Sequence, residues 1–164
     1  LAHGTPPEVD LRRLDPALQA ERATFVTLLD GQGGLRGCIG SIEANRPIAL
    51  DVSAHAFAAA FQDPRFPPLT RAEHGDIQCK LSVLTPLEAI DFTDEADLIR
   101  QLEPGADGVL IEAGERRGTL LPQVWSDLPE PKAFWQTLKR KADLGDNEWP
   151  RDLRAYRYRA ESLG

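Results

Sequence analysis

Ala23-Thr24-Phe25-Val26-Thr27-Leu28-Leu29, then Asp30-Gly31-Gln32-Gly33-Gly34, then Leu35-Arg36-Gly37-Cys38-Ile39-Gly40 reads as strand, turn and strand. β-branched and aromatic residues flank a glycine-rich connection, the signature of a hairpin. Strand alternation assigns Leu35, Gly37 and Ile39 to one face and Arg36, Cys38 and Gly40 to the other. A guanidinium then lies two residues from a thiol on the same side, where a cation favours the thiolate. Glycine inside a strand removes a packing side chain, so Gly37 and Gly40 point to a bulge or to a backbone that something approaches closely.

Outward from the hairpin, residues 5 to 22 carry Pro6-Pro7 and short apolar spacings at Leu11, Leu14 and Leu18, which predict a loop with at most one or two helical turns. Downstream, Asn45 is placed to cap a helix running to Phe61, with Pro47 in its first turn. Two apolar stripes on that helix, Ile48, Val52, Ala56, Ala59 and Leu50, Ala54, Phe57, Phe61, are both expected to be buried, and Ala58-Ala59-Ala60 keeps it slim. His55 lies four residues after Asp51, within pairing distance on one helix face, although a surface histidine is the plainer expectation. Asp63-Pro64-Arg65-Phe66-Pro67-Pro68-Leu69 reads as a packed loop in which Asp63 binds backbone amides and Arg65 either faces a cleft or pairs with a carboxylate.

Ile77 to Thr85 alternates as a strand, with Cys79 in its apolar set as a small inert hydrophobe. Asp94 to Leu102 reads as a helix stopped by Pro104-Gly105. Val109 to Ala113 and Arg117 to Leu121 flank Gly114 as a second hairpin. Pro122 to Trp125 begins a short helical segment, Lys132 to Asp143 is a fuller helix, and Leu153 to Ala160 is a terminal strand. The sum is a mixed α+β fold, a mainly antiparallel sheet flanked by helices. At the other end, Leu1-Ala2-His3-Gly4 resembles a helix finishing on a glycine cap, with sequence upstream expected to be missing.

The 164 residues suit a single domain. Nineteen Lys and Arg against 26 Asp and Glu give a net charge of -7, which disfavours nucleic acid or an anionic membrane as the main partner. Two cysteines make no disulfide framework, nothing at the start reads as a signal peptide, and no apolar run reaches membrane-spanning length; a reducing cytoplasm is the expected compartment. Cys38 and Cys79 are far apart in sequence with no histidine at ligand spacing, so no metal site and no cofactor are expected. The run Gly31 to Gly40 precedes a strand and lacks the Lys-Ser or Lys-Thr of a phosphate loop.

Several blocks in order are similar to the AMMECR domain family: Ala23 to Leu28, the Leu35 to Gly40 hexapeptide, Asp63 to Leu69, Leu81 to Leu84, Gly118 to Val124 and Leu138 to Ala142. The resemblance spans nearly the whole chain. It implies one AMMECR-type domain over 1–164 with two subdomains and a cleft near the hexapeptide. It also implies association with a Memo-type protein and a radical SAM protein, the other members of the AmmeMemoRadiSam gene trio. His3, His55 and His74 match no family position, and the family's molecular activity is unsettled.

The chemistry these residues support is binding of a small anionic molecule, with Cys38 as candidate nucleophile and Arg36, Gly37, Gly40, Arg65 and Arg117 as ligand-binding candidates. Arg117 is expected to line the same cleft as Arg36. A thiolate with a nearby cation and free backbone amides suits nucleophilic and oxyanion chemistry, but no spacing marks a general base; Glu43, Asp63, Glu88 and Glu112 are unranked candidates. Two other readings stay open. Cys38 is a buried small hydrophobe with glycines that make room for a helix, or the domain is a non-catalytic scaffold for a metalloenzyme complex.

Overall fold

The computed structural model describes residues 4–163, so the helix end expected at Leu1 to His3 lies outside them. In chain order the elements are β1 (Thr24–Leu29), β2 (Leu35–Gly40), α1 (Ile48–Phe61), β3 (Gln78–Leu84), β4 (Glu88–Ala89), α2 (Glu95–Gln101), β5 (Gly108–Ala113), β6 (Arg116–Leu120), α3 (Pro131–Lys141), β7 (Arg154–Tyr158) and β8 (Ala160–Leu163). The strands form two four-stranded sheets, ordered β2-β1-β3-β8 and β4-β7-β5-β6. This is the α+β class expected. The chain comprises two compact units, Leu1–Thr85 with Glu161–Gly164, and Pro86–Ala160.

In the first unit, the β1–β2 hairpin turns where Asp30 accepts from the amides of Gln32 and Gly34 at 2.9 and 2.8 Å and Gly33 takes φ 82°, a conformation glycine adopts without steric cost. Upstream of it, Leu11–Arg13 and Pro16–Gln19 are short 3-10 turns, in line with the loop expected there. Helix α1 packs on β1 and β2, and Val26, Leu28, Ala59, Ala60 and Leu69 form the core between them.

The helix departs from expectation in two ways. Asn45 does not cap it: its amide donates to Glu43, and Pro47 occupies the cap position without a side-chain bond. The deeply buried line is Asp51, His55 and Ala59, while most of the apolar residues are only half-buried. Buried polar groups persist where partners satisfy them. Asp51 accepts from Thr24 N at 3.0 Å, Thr24 Oγ1 at 2.6 Å and Arg46 Nε at 2.7 Å, and His55 Nδ1 lies 3.2 Å away. His55 is therefore a buried partner of Asp51 and not a surface histidine. Burial alone would raise the Asp51 carboxyl; His55, Thr24 and Arg46 outweigh it and hold it at about 2.

The second unit has the larger core, in which Trp125 stacks on Phe134 with centroids 3.8 Å apart and planes within 2°. Its hairpin pairs β5 and β6 antiparallel, turning at Gly114 with φ 61°. Lys139 is 1% exposed, and its ammonium donates to Glu95 Oε1 at 2.9 Å and to the Asp146 carbonyl at 2.8 Å. The terminal strand expected over 153–160 is split. In β7, Ala155 and Tyr158 are buried, which breaks a strict two-residue alternation, and β8 continues the chain into the first sheet. Among the described residues no helix is long and apolar enough to cross a membrane.

Candidate functional site

The hexapeptide is an edge strand, since β2 heads its sheet. Its alternation is interrupted near the start. Gly37 pairs with Leu28 and Leu35 with Leu29, which leaves Arg36 without a partner on β1 as the extra residue of a bulge. A bulge re-aims side chains, and here it exchanges the expected burial: Leu35 is 44% exposed and Arg36 only 9%. Leu35 thus does not pack beside Ile39 as its parity predicted.

Beyond the bulge the alternation resumes. Gly37 faces α1, where an added Cβ would lie 2.1 Å from the Ala59 carbonyl oxygen. Cys38 faces the other way, opposite Thr27, whose hydroxyl donates to Sγ at 3.3 Å. At Gly40 the close neighbours are the Phe25 ring and the Thr24 carbonyl oxygen, 2.3 and 2.4 Å from a notional Cβ. Packing alone therefore accounts for both glycines.

An edge strand leaves backbone groups unpaired unless something covers them. The loop after α1 covers them at Cys38: Asp63 Oδ2 accepts from the Cys38 amide at 2.9 Å, and Arg65 Nη2 donates to the Cys38 carbonyl at 3.1 Å. The two side chains are themselves paired, Arg65 Nη2 to Asp63 Oδ2 at 2.7 Å. They act as a side-chain strand that fixes the backbone of the thiol. Arg65, with the amides of Cys38 and Arg65 behind it, holds the Asp63 carboxyl well below the usual carboxylate range. Asp63 thus stays ionised, and of the four base candidates it bonds the Cys38 amide directly. Glu43 accepts from Asn45, Glu112 pairs with Arg117 and Arg154, and Glu88 is exposed on β4.

Arg36 reaches the same loop at a different point. Its Nε and Nη2 donate to the two oxygens of Glu73 at 2.6 and 3.3 Å, and its Cζ sits 5.9 Å from the Phe66 ring centroid, with Arg65 Cζ at 5.6 Å. Thr70 N and Oγ1 also donate to Glu73, at 2.8 and 2.7 Å. Arg36, and then Thr70, depress the Glu73 carboxyl to about 2. Among the described residues, Arg36 Nη1 is buried with no hydrogen-bond partner.

The structure thus gathers Arg36, Gly37, Cys38, Gly40 and Arg65 around one strand edge. Arg117 belongs to the second unit, on β6, where its Nε lies 3.3 Å from Glu112. Cys79, expected as a small inert hydrophobe, is exposed, although partial burial still pushes its thiol up. Sequence reasoning missed Glu73, Phe66 and Thr27. Glu73 had a signal: Thr70-x-x-Glu73 has capping-box spacing, and the Glu73 amide donates back to Thr70 Oγ1 at 3.4 Å. Among the described residues no group of three or more His, Cys, Asp or Glu could hold a metal ion.

A protein of Thermofilum pendens is 37% identical over 161 residues, covering 92% of this chain and 76% of that one. One from Methanothermobacter thermautotrophicus is 37% identical over 150 residues, covering 90% and 78%. The crystal structure of PH0010 from Pyrococcus horikoshii, described as an uncharacterized protein, superposes with a TM-score of 0.81 at 33% identity, covering 96% of this chain and 78% of that one. The AMMECR1 family model matches residues 1–163, and the chain belongs to the AMMECR1 family.

Proposed function

We propose that this domain binds a small anionic molecule at Arg36, with the thiol of Cys38, two residues along the same strand, as the candidate reactive group. The observation that carries the reading is Arg36 Nη1. A guanidinium presents five donors, and a buried one left unmade costs about 1–3 kcal/mol, more on a charged group. Such an orphan calls for an explanation in a folded protein. An acceptor brought by a ligand supplies one, and a carboxylate or phosphate matches the guanidinium fork in both charge and shape. The Asp63–Arg65 clamp supports the same reading, because it holds the backbone of Cys38 rigid, as placing a thiol against a bound molecule requires.

The test is titration calorimetry of wild type and Arg36→Gln with inorganic phosphate, citrate, benzoate and decanoate. Saturable binding of at least one anion in wild type, lost in Arg36→Gln, is the expected result. Equal binding in both proteins, or none in wild type, overturns the reading and leaves a buried water as the acceptor for Nη1. Alkylation of Cys38 across pH 6 to 9, in a Cys79→Ser background, tests the thiol separately. A rate no faster than that of a free peptide thiol removes Cys38 as a nucleophile without touching the anion site.

A further inference from the structure

We infer that the ligand is an amphipathic carboxylate, whose head group displaces Glu73 from Arg36 and whose apolar body lies in a groove of the first unit; this rests on the anion-binding reading above. The groove has a volume of about 660 Å³ and is walled by Leu28, Val52, Ala56, Phe61, Leu69 and Ile77. It explains why α1, an apolar helix, leaves so much of that surface half-buried. This volume falls within the range of about 300–1,000 Å³ typical of small-molecule sites.

Arg36 does not line the groove, but its position on the strand next to the groove floor identifies the head group. Leu28 lines the groove and pairs in register with Gly37, so Arg36 is one residue further along the neighbouring strand. Strand spacing near 4.8 Å and about 3.8 Å between consecutive Cα atoms keep the Arg36 backbone within roughly 9 Å of the groove floor. The partition between them is the segment from Leu69 to Ile77. Leu69, His74 and Ile77 face the groove, while Glu73, between them in sequence, reaches the other way to Arg36. Leu69 N donates to the Ala60 carbonyl at 2.8 Å, which anchors one end of the partition to α1.

Glu73 is then an internal stand-in for the ligand. Its side chain is 37% exposed and its other partner is Thr70, three residues away, so Glu73 and Thr70 can withdraw together with their mutual bonds intact. A free carboxylate bidentate across Nη1 and Nη2 replaces the charge that leaves and gives the orphaned Nη1 its acceptor. The head alone gains little over Glu73, since it exchanges one carboxylate for another. Burial of an apolar body in the groove is what drives the exchange, at about 0.8 kcal/mol per buried methylene. That requirement selects a molecule with both parts.

The experiment compares decanoate, decanol and acetate on wild type and on Glu73→Gln, by calorimetry and by site-resolved mass spectrometry of alkylation at Cys79, whose side chain lines the groove. In wild type, decanoate is expected to bind at least tenfold tighter than either decanol or acetate and to slow Cys79 labelling. In Glu73→Gln, decanoate is expected to gain a further tenfold with decanol unchanged. Acetate binding as tightly as decanoate, dependent on Arg36, overturns the apolar body and leaves the anion site standing. Decanol equal to decanoate overturns the head group. No binding of any anion overturns both. The wild-type comparison decides the case even if Glu73→Gln folds poorly.

Discussion

Gly37→Ala tests the packing at the centre of this strand with a single methyl group. An ideal Cβ there would stand 2.1 Å from the Ala59 carbonyl oxygen and 3.0 Å from its carbon. Both atoms belong to the backbone of α1, so no side-chain rotation relieves the contact. The strand and helix must separate by roughly 1 Å, in a core where packing is close to crystalline. Overpacking typically costs about 1–3 kcal/mol, and a rigid obstruction on both sides puts this case at or above the upper end. At about 2–4 °C per kcal/mol for a chain of this size, the thermal midpoint should fall by roughly 6–12 °C.

The assay is thermal unfolding followed by far-ultraviolet circular dichroism, with Gly75→Ala as the control because a Cβ at Gly75 meets nothing within 4 Å. The alternative is that Gly37 exists to let a ligand approach. That view predicts an unchanged midpoint with lost anion binding. A Gly37→Ala protein melting within a degree of wild type would refute the packing argument and would mean that α1 does not sit on β2 as described.

Lys139→Ala should destabilise the second unit by about 2–5 kcal/mol, the range for cutting a long buried side chain back to alanine, because Lys139 is 1% exposed and its removal leaves a cavity, while Glu95, 40% exposed, keeps the bond from Trp135 Nε1 at 2.7 Å; chemical denaturation measures it. Stability should fall on acidification. Asp51 and Glu73 are depressed from 3.8 and 4.5 to about 2, so their contribution is complete above about pH 5 and is lost as pH drops towards 2. Asp51→Asn should flatten the acid limb of a melting-temperature profile. Asp63→Ala should leave the Cys38 amide unpaired and strip Arg65 of its carboxylate, leaving it the Cys38 carbonyl, at about 1–3 kcal/mol, and hydrogen exchange should show Cys38 losing protection while Val26 at the sheet centre keeps it.

What was legible in the sequence follows from how locally each feature is determined. The two hairpins were legible because Asp30-Gly31-Gln32-Gly33-Gly34 and Gly114-Glu115 are turn chemistry bounded by alternating residues, and both turns form where expected. The bulge at Arg36 was not, since a single extra residue leaves the hydrophobic pattern nearly intact while reversing which of Leu35 and Arg36 is buried. The line Asp51, His55 and Ala59 was misread for a related reason. Helical periodicity ranks apolar residues as inward, but a carboxylate with three donors waiting on β1 and the preceding loop is also stable inside, and those donors come from residues up to 27 positions away.

The candidate site shows the same division at higher stakes. Arg36, Cys38 and Arg65 were visible as unusual residues in their local contexts, whereas their partners were assigned by tertiary contacts that no spacing encodes: Glu73 lies 37 residues from Arg36 and Asp63 lies 25 from Cys38. Those distant carboxylates change what the arginines mean. Arg65 covers the β2 edge with Asp63, its Nε and Nη2 bonding Asp63 and the Cys38 carbonyl, so these bonds hold Cys38 in place. Arg36 with Glu73 is engaged through two of its nitrogens and retains a buried third. Of two arginines that look equivalent in the sequence, the proposed anion site makes one a positioning residue and the other the receptor, and on that proposal only Arg36 substitutions should alter anion affinity without first loosening the strand that carries the thiol.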